Sequence, residues 1–312
     1  MYTIIRPKTR EEWLDIRKGG IGSSEVGTIL GLNPFETPYQ LWRRKLGMDI
    51  PKEENFAMKA GHYLEDAVSL FFRDSTGASI IKSSAGDWIM RDNDRPYLQV
   101  SPDRTFWRKG DRHNDANKGI LECKTTQKAI DGDDIPSHWL CQVCYQIGVA
   151  GYQHGAIAWL TQGRTFGYQT VSHDPDFFAY MVEAAERFWT DNIIGGQEPA
   201  AINASDILLK YPKEFAGKVI EADEELFGTI GRLKEVNQIL KEFKDEKDKL
   251  EESIKMMIAD AESVIRGGAT LATWKANKDS VKFNEKKFQA EHPDLYGQYQ
   301  ETKPGARILR IK

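Results

Sequence analysis

The sequence predicts an α/β protein of the α+β kind: a central mixed sheet flanked by helices, followed by a C-terminal helical arm and a small β extension. Three observations predict it. Over residues 56–72, Phe56, Ala60, Leu64, Val68, Phe71 and Phe72 recur at helical spacing. The chain then breaks into short β-prone segments punctuated by Gly, Asp and Asn, as in a mostly antiparallel sheet. Over 221–259, Leu226, Ile230, Leu233, Leu240, Phe243, Leu250, Ile254 and Met257 alternate three- and four-residue steps with Lys and Glu between them.

Each element has a local reason. Thr9-Arg10-Glu11-Glu12 is a capping box that starts a helix running through Arg17. The turn at 19–24, Gly-Gly-Ile-Gly-Ser-Ser, leads into a second helix, which Gly31 and Asn33-Pro34 end. Thr37-Pro38 opens a third, with Pro38 at its first position. The helix over 56–72 carries Glu65, and strands are expected over 78–81, 87–90, 97–100, 104–107 and 120–124. Residues 136–149 return to helix, 154–161 and 166–171 read as a hairpin, and 174–193 is helical. This order fits a sheet between helical layers.

Residues 195–212, rich in Gly, Pro, Asn and Ser, mark a boundary between a core over 1–204 and an extension over 205–312. The charged helix of the extension packs along its own body or forms a coiled coil with a partner. Gly267-Gly268 suggests a hairpin and 307–311 a terminal strand.

Composition narrows the function classes. The chain has 312 residues, 40% hydrophobic and 29% charged, and no apolar run nears the roughly 18–20 residues a membrane span requires. The start, Met-Tyr-Thr-Ile-Ile-Arg-Pro-Lys, lacks a secretory signal, so a cytoplasmic protein with no membrane contact is expected. Three cysteines, Cys123, Cys141 and Cys144, are too few for a disulfide framework, and Cys141 and Cys144 read as two small buried side chains on one helix. A net charge of −4 exerts no global pull on nucleic acid, which leaves local clusters such as Arg43-Arg44-Lys45, or the basic stretch over 104–112 with Trp107, to contact a backbone.

The chemistry concentrates at Ser101-Pro102-Asp103 and Glu122-Cys123-Lys124. Strand alternation sends Glu122 and Lys124 to one face and Cys123 to the other, so a carboxylate and an ammonium meet what Asp103 presents. Two carboxylates are the hard oxygen ligands that Mg2+ or Mn2+ prefers. A lysine beside them can orient or deprotonate water and offset charge on a phosphoryl transition state. A lone E-x-K is more often an exposed strand pair; its order after Glu65 and before Gln142 makes the signal specific.

With Arg17, Ile21-Gly22-Ser23-Ser24, Gly61-His62-Tyr63-Leu64-Glu65, Ser101-Pro102-Asp103, Leu121-Glu122-Cys123-Lys124-Thr125, and His138-Trp139 through Gln142 and Gln146, the chain resembles the PD-(D/E)xK nucleases. Within them it resembles the YqaJ-like phage recombination exonucleases related to lambda exonuclease. The tail is similar too, in Ala272-Thr273-Trp274-Lys275, Phe283, His292-Pro293-Asp294-Leu295-Tyr296 and Arg307.

The resemblance implies a restriction-endonuclease-like core. It implies metal ligation by Asp103, Glu122 and the Cys123 carbonyl, with Glu65 holding a water or a second metal, and Lys124 as the catalytic lysine. Arg17, Ser24, Ser101 and Gln142 match positions that grip a terminal 5′ phosphate. Where lambda-like members place an arginine after the motif lysine, this chain has Thr125 to Ile130, with Lys128 as the substitute.

The implied activity is Mg2+-dependent hydrolysis of duplex DNA ends, 5′ to 3′, leaving 3′ tails for phage recombination, with Mn2+ able to substitute. A single-strand annealing protein is the implied partner, a homo-oligomer such as a toroidal trimer the implied assembly, and the cytoplasm of a bacterial host the implied location. Two other readings stand beside it: a structure-selective or restriction-like endonuclease on the same core, and a non-catalytic DNA-binding recombination scaffold.

Overall fold

The computed structural model describes residues 1–49, 55–81, 88–130, 134–302 and 305–311. The chain divides into two compact units, Met1–Lys210 and Tyr211–Lys312. The first opens on a strand that the sequence reading did not include, β1 (Tyr2–Ile5), and continues through α1 (Arg10–Lys18), α2 (Ser23–Ile29), α3 (Pro38–Lys45) and α4 (Phe56–Thr76). The starts of α1, α3 and α4 are set by side-chain caps: Thr9 accepts from Glu12 N, Thr37 from Gln40 N, and Asn55 from Met58 N. Helix α4 runs past Phe72 to Thr76 and ends at Gly77, whose φ of 71° is the left-handed conformation that glycine adopts without strain.

Next come β2 (Ser79–Ile81), β3 (Ile89–Asp92), β4 (Gln99–Val100), β5 (Arg104–Trp107) and β6 (Lys118–Thr126). Asp87, the expected start of the second of these, lies outside the described residues. Helix α5 (Ser137–Ala150), the hairpin β7 (His154–Thr161) and β8 (Thr165–Ser172), α6 (Pro175–Arg187) and α7 (Ala204–Lys210) complete the unit. The helix expected over 174–193 passes into π-helical turns at Phe188–Ile194.

The strands form two sheets. One runs β2-β5-β6-β7-β8, antiparallel throughout except for β6 and β7, which are parallel. A parallel neighbour needs a crossover, and α5 supplies it. The other sheet is β1-β3-β4, antiparallel. Strand β7 is buried along its whole length, as befits a strand covered on both faces.

Helices cover both faces of the larger sheet. On one, Ile120, Ile157 and Trp159 pack with Val26 of α2, Val143 and Ile147 of α5, and Met181 of α6. On the other, Leu121, Cys123, Ala156 and Ala158 meet Val68 and Phe72 of α4. Alternation along β6 therefore directs Glu122 and Lys124 to the α5 layer and Cys123 to the α4 layer.

The boundary expected at 204/205 falls at the start of α7. Asp206 is fully buried and accepts from Thr37 Oγ1 and Gln40 Nε2, each at 2.9 Å, which makes α7 part of the first unit.

The second unit begins with α8 (Glu224–Ile258), capped by Asp223 accepting from Leu226 N at 2.8 Å. The hairpin β9 (Ser263–Arg266) and β10 (Ala269–Thr273) follows, turning at Gly267 and Gly268, both at positive φ. Short helices α9 (Glu285–Glu291) and α10 (Pro293–Gln298) come last. Leu240, Phe243, Leu250 and Ile254 of α8 are exposed, so the packing expected of them is not made within this unit. The terminal strand expected over 307–311 does not form: a strand needs a neighbour for its backbone groups, and the described sheet of this unit is β9 and β10 alone. Arg307 instead donates Nη1 to Tyr211 O at 3.0 Å. Among the described residues no helix is long and apolar enough to cross a membrane.

Candidate active site

Strand β6 pairs with β5 only as far as Leu121, opposite Arg104. Beyond that point its edge is open, and the carboxylate of Asp103 takes the next backbone donor: Cys123 N–H to Oδ2 at 2.7 Å. The N–H and C=O of one strand residue face the same edge, so the Cys123 carbonyl also lies on the Asp103 side. Asp103 itself is set by the turn after β4, where Trp88 Nε1 donates to Pro102 O at 3.2 Å.

On the α5 side, Glu122 is 3% exposed and held by three side chains. Its Oε1 accepts from Lys124 Nζ at 2.7 Å and Gln142 Nε2 at 2.5 Å, and its Oε2 from Gln146 Nε2 at 2.9 Å. Lys124 Nζ also donates to Gln142 Oε1 at 2.9 Å. Gln142 and Gln146 are one helical turn apart, which is why both reach the same carboxylate from α5.

The charges are strongly coupled. Burial, with the negative charges of Glu122 and Glu65, raises the Asp103 carboxyl well above the usual range, against the lowering influence of Lys124 and the Cys123 N–H. Burial alone would lower the Lys124 ammonium, yet Glu122 and Asp103 outweigh it and the net shift is upward. Three carboxylates crowd a buried region containing one lysine, and that surplus of negative charge suits a divalent cation. Among the described residues no group of three or more His, Cys, Asp or Glu side chains is preformed to hold a metal. The donor set that fits one is two carboxylates, Asp103 and Glu122, plus a backbone carbonyl, the hard oxygen chemistry of Mg2+.

Glu65 comes from α4. His62 Nδ1 lies 2.9 Å from its Oε1, and Arg104 Nη1 lies 4.0 Å from its Oε2. Arg104, 8% exposed in its side chain, also donates to Asp66 Oδ1 at 2.6 Å and to Asp103 O at 2.5 Å, joining α4 to β5. Arg104, read from the sequence as the start of the basic stretch over 104–112, is thus an internal tie, and Asp66 was not singled out; their pairing spans 38 positions and has no local signal.

A cleft of about 420 Å³ opens over these groups, lined by Arg17, Ser24, Glu65, Ser101, Asp103, Glu122 and Gln142. Most of the sequence-derived set therefore converges. Gln142 reaches the cleft with its amide already engaged by Glu122 and Lys124 rather than waiting for a phosphate. Lys128 is not brought in: it is exposed on the segment after β6, and its N–H donates to Thr126 Oγ1.

The guanidinium carbons of Arg10 and Arg17 lie 3.9 and 4.4 Å from the centroid of the Trp13 ring on α1. Trp13 was missed, although Arg-Trp-Arg at i, i+3, i+7 is a readable helical stripe. The turn carrying Gly22, Ser23 and Ser24 is pinned from below. A Cβ on Gly20 would meet Tyr97 O and Gln99 Nε2 at 2.5 Å, so glycine is what lets the turn approach β4.

Glu25 is 3% exposed, accepts from Gly22 N at 2.7 Å, and pairs with Lys45 Nζ at 2.7 Å and Arg44 Nη1 at 3.2 Å. Burial would raise its carboxyl, but Lys45, Arg17 and Arg44 bring it down to about 2. Lys45 is shifted less favourably: burial lowers its ammonium, and Glu25 offsets only part of that. The asymmetry is physical, since Glu25 faces three cations and Lys45 one carboxylate.

The cluster Arg43-Arg44-Lys45 is accordingly an internal anchor, with Arg43 on Asp49 and Lys45 donating to the carbonyls of Arg17 and Gly20. Arg108, Lys109 and Arg112 are exposed, beside a Trp107 ring stacked on His113 at 4.4 Å. Cys141 packs its Sγ 3.6 Å from Met181 Sδ, in the core as expected.

Residues 12–153 match the YqaJ-like viral recombinase domain. Over 299 residues the chain is 30% identical to the protein YqaJ of Bacillus subtilis (strain 168), covering 92% of this chain and 90% of that one. Among solved structures it is similar to the alkaline exonuclease LHK-Exo of Laribacter hongkongensis, with a TM-score of 0.43, 16% identity, and coverage of 58% of this chain and 91% of that one. It is also similar to a phage-related exonuclease of Haemophilus somnus 129PT, with a TM-score of 0.39, 12% identity, and coverage of 57% and 96%.

Proposed function

Because the chain belongs to the YqaJ-like viral recombinase family, we propose that it is a Mg2+-dependent DNA exonuclease that digests duplex ends 5′ to 3′ and leaves 3′ tails for recombination. The observation that carries the reading is the meeting of Asp103, Glu122 and Lys124 at the open edge of β6, beneath a cleft that also presents Arg17 and Ser24.

Asp103, Glu122 and the Cys123 carbonyl would hold the metal, with Glu65 beside them, and Mn2+ would fit the same oxygen donors. When bound, the metal supplies Lewis acidity toward a phosphoryl oxygen. Lys124 Nζ, held by Glu122 and Gln142, is placed to orient or deprotonate the attacking water and to offset charge on the phosphoryl group in the transition state. Gln142 bridges Lys124 and Glu122 and fixes the ammonium.

Arg17, Ser24 and Ser101 sit where a terminal 5′ phosphate would be gripped by a guanidinium and hydroxyl donors. A duplex DNA end is the substrate this arrangement suits, a single-strand annealing protein the partner that would use its product, and a ring-shaped homo-oligomer in a bacterial cytoplasm the setting.

End-labelled linear duplex with purified protein and Mg2+ tests the reading. Wild type should release 5′ nucleotides, and Lys124→Ala or Glu122→Ala should slow this by roughly a hundredfold or more. Undiminished activity in either variant would overturn the assignment, and cleavage of covalently closed circular DNA would point to an endonuclease instead.

A further inference from the structure

Gln146 is fully buried between α2 and α5 and does not line the cleft. Its Nε2 donates to two acceptors, Ser23 Oγ at 3.2 Å and Glu122 Oε2 at 2.9 Å, so a single amide nitrogen joins the helix-start turn over Gly22–Ser24, through the first residue of α2, to the acidic residue of β6. The orientation is forced. Exchanging the amide nitrogen and oxygen would set an acceptor against the Glu122 carboxylate, and among the described residues no donor reaches Oε1.

The turn reached in this way is already rigid on its other side. Gly22 N–H is held by Glu25, Glu25 by Lys45, and Lys45 by the carbonyls of Arg17 and Gly20. Its one exposed hydroxyl is Ser24, beside Arg17 at the cleft.

We propose that Gln146 is a positioning residue that locks the Gly22–Ser24 turn to Glu122, so that the grip on a terminal 5′ phosphate and the metal-binding carboxylate keep one fixed register. The inference rests on the nuclease reading. Groups behind a metal ligand orient it, and their loss commonly weakens metal binding or activity by about tenfold to a hundredfold. Here the same amide carries a second bond to the element that would hold the end of the strand, so its removal should loosen both at once.

The test uses the full chain with Gln146→Leu, which keeps the bulk and removes both donated bonds, and Ser23→Ala, which removes one. Mn2+ affinity is measured by titration calorimetry without DNA, and kcat and KM on 5′-phosphorylated and 5′-hydroxyl duplexes.

Gln146→Leu should weaken Mn2+ by about tenfold, lower kcat by a similar factor with KM little changed, and bring the rate ratio between the two ends toward unity. Ser23→Ala should lower that ratio while leaving Mn2+ affinity intact. If Gln146→Leu does not fold, Gln146→Asn, which is too short to serve both partners, carries the same readouts. Mn2+ affinity within about twofold of wild type, or a fall in melting temperature alone, would overturn the proposal. Because the calorimetry needs no turnover, a wild type that binds Mn2+ without degrading DNA would sink the nuclease reading and still leave this coupling open to measurement through Mn2+.

Discussion

Replacing Glu25 by Gln removes the anion that pairs with Lys45 and Arg44 and lies near Arg17, without changing the volume of a side chain that is 3% exposed. In the folded chain the carboxyl sits at about 2 against an ordinary 4.5. At roughly 1.4 kcal/mol per pH unit, that difference is worth about 3 kcal/mol of stability at neutral pH. The sign follows from the direction. A depressed carboxyl contributes fully above 4.5 and loses its contribution as the pH falls toward about 2. The contribution should therefore be complete near pH 6 and down to about 2 kcal/mol near pH 3.5.

For a unit spanning Met1–Lys210, a loss of about 3 kcal/mol lowers the melting temperature by roughly 6–12 °C. Urea unfolding followed by tryptophan fluorescence measures it, because every tryptophan except Trp274 lies in that unit. The variant should lose about 3 kcal/mol near pH 6, and the gap should narrow near pH 3.5. A loss under about 1 kcal/mol, or a gap that holds constant across that window, would refute the view that Glu25 is the anionic anchor of the turn.

Two further outcomes follow from the charges. Burial, with Glu122 and Glu65, raises the Asp103 carboxyl well above the usual carboxylate range, so a proton and a cation compete for it. Mn2+ affinity should fall as the pH is lowered, and calorimetry in buffers of different ionisation heat should register proton release; binding indifferent to pH would contradict this. Burial also pushes the Cys141 and Cys144 thiols to about 12 and about 11. Alkylation of either in the native protein near pH 8 should be slower than that of a free cysteine by roughly a hundredfold or more, as mass spectrometry of a time course would show. Labelling at the free rate would mean that the α5 face bearing them opens.

Much of the candidate site was legible because its signals are local. The i, i+2 alternation puts Glu122 and Lys124 on one face whatever sheet they join, and Thr9 and Thr37 declare helix starts within a few positions. The strand expected over 104–107 forms there, and the helix expected over 136–149 forms over Ser137–Ala150. What escaped depended on distant partners. β1 is a strand because it pairs with the edge of β3, and 307–311 is not one because it pairs with neither edge of the β9-β10 hairpin. Arg43-Arg44-Lys45 looks in sequence like a basic surface patch, and only the arrival of Glu25 and Asp49 shows it to be an internal anchor. Lys128, two residues after the end of β6, is carried away from the cleft by a segment whose course no periodicity reveals.

By itself, then, the sequence determined which residues could do the chemistry and on which side of a strand they stand, since backbone geometry over two to four positions decides that. The tertiary structure decided what surrounds them. Starting β5 opposite Leu121 leaves Cys123 N–H for Asp103, and the parallel crossover through α5 brings Gln142 and Gln146 onto Glu122. Packing α2 against α5 then delivers Ser23 to the same amide. Those contacts join residues 20 to 123 positions apart, and at such separations strand order and helix packing, which no local pattern encodes, select the partner.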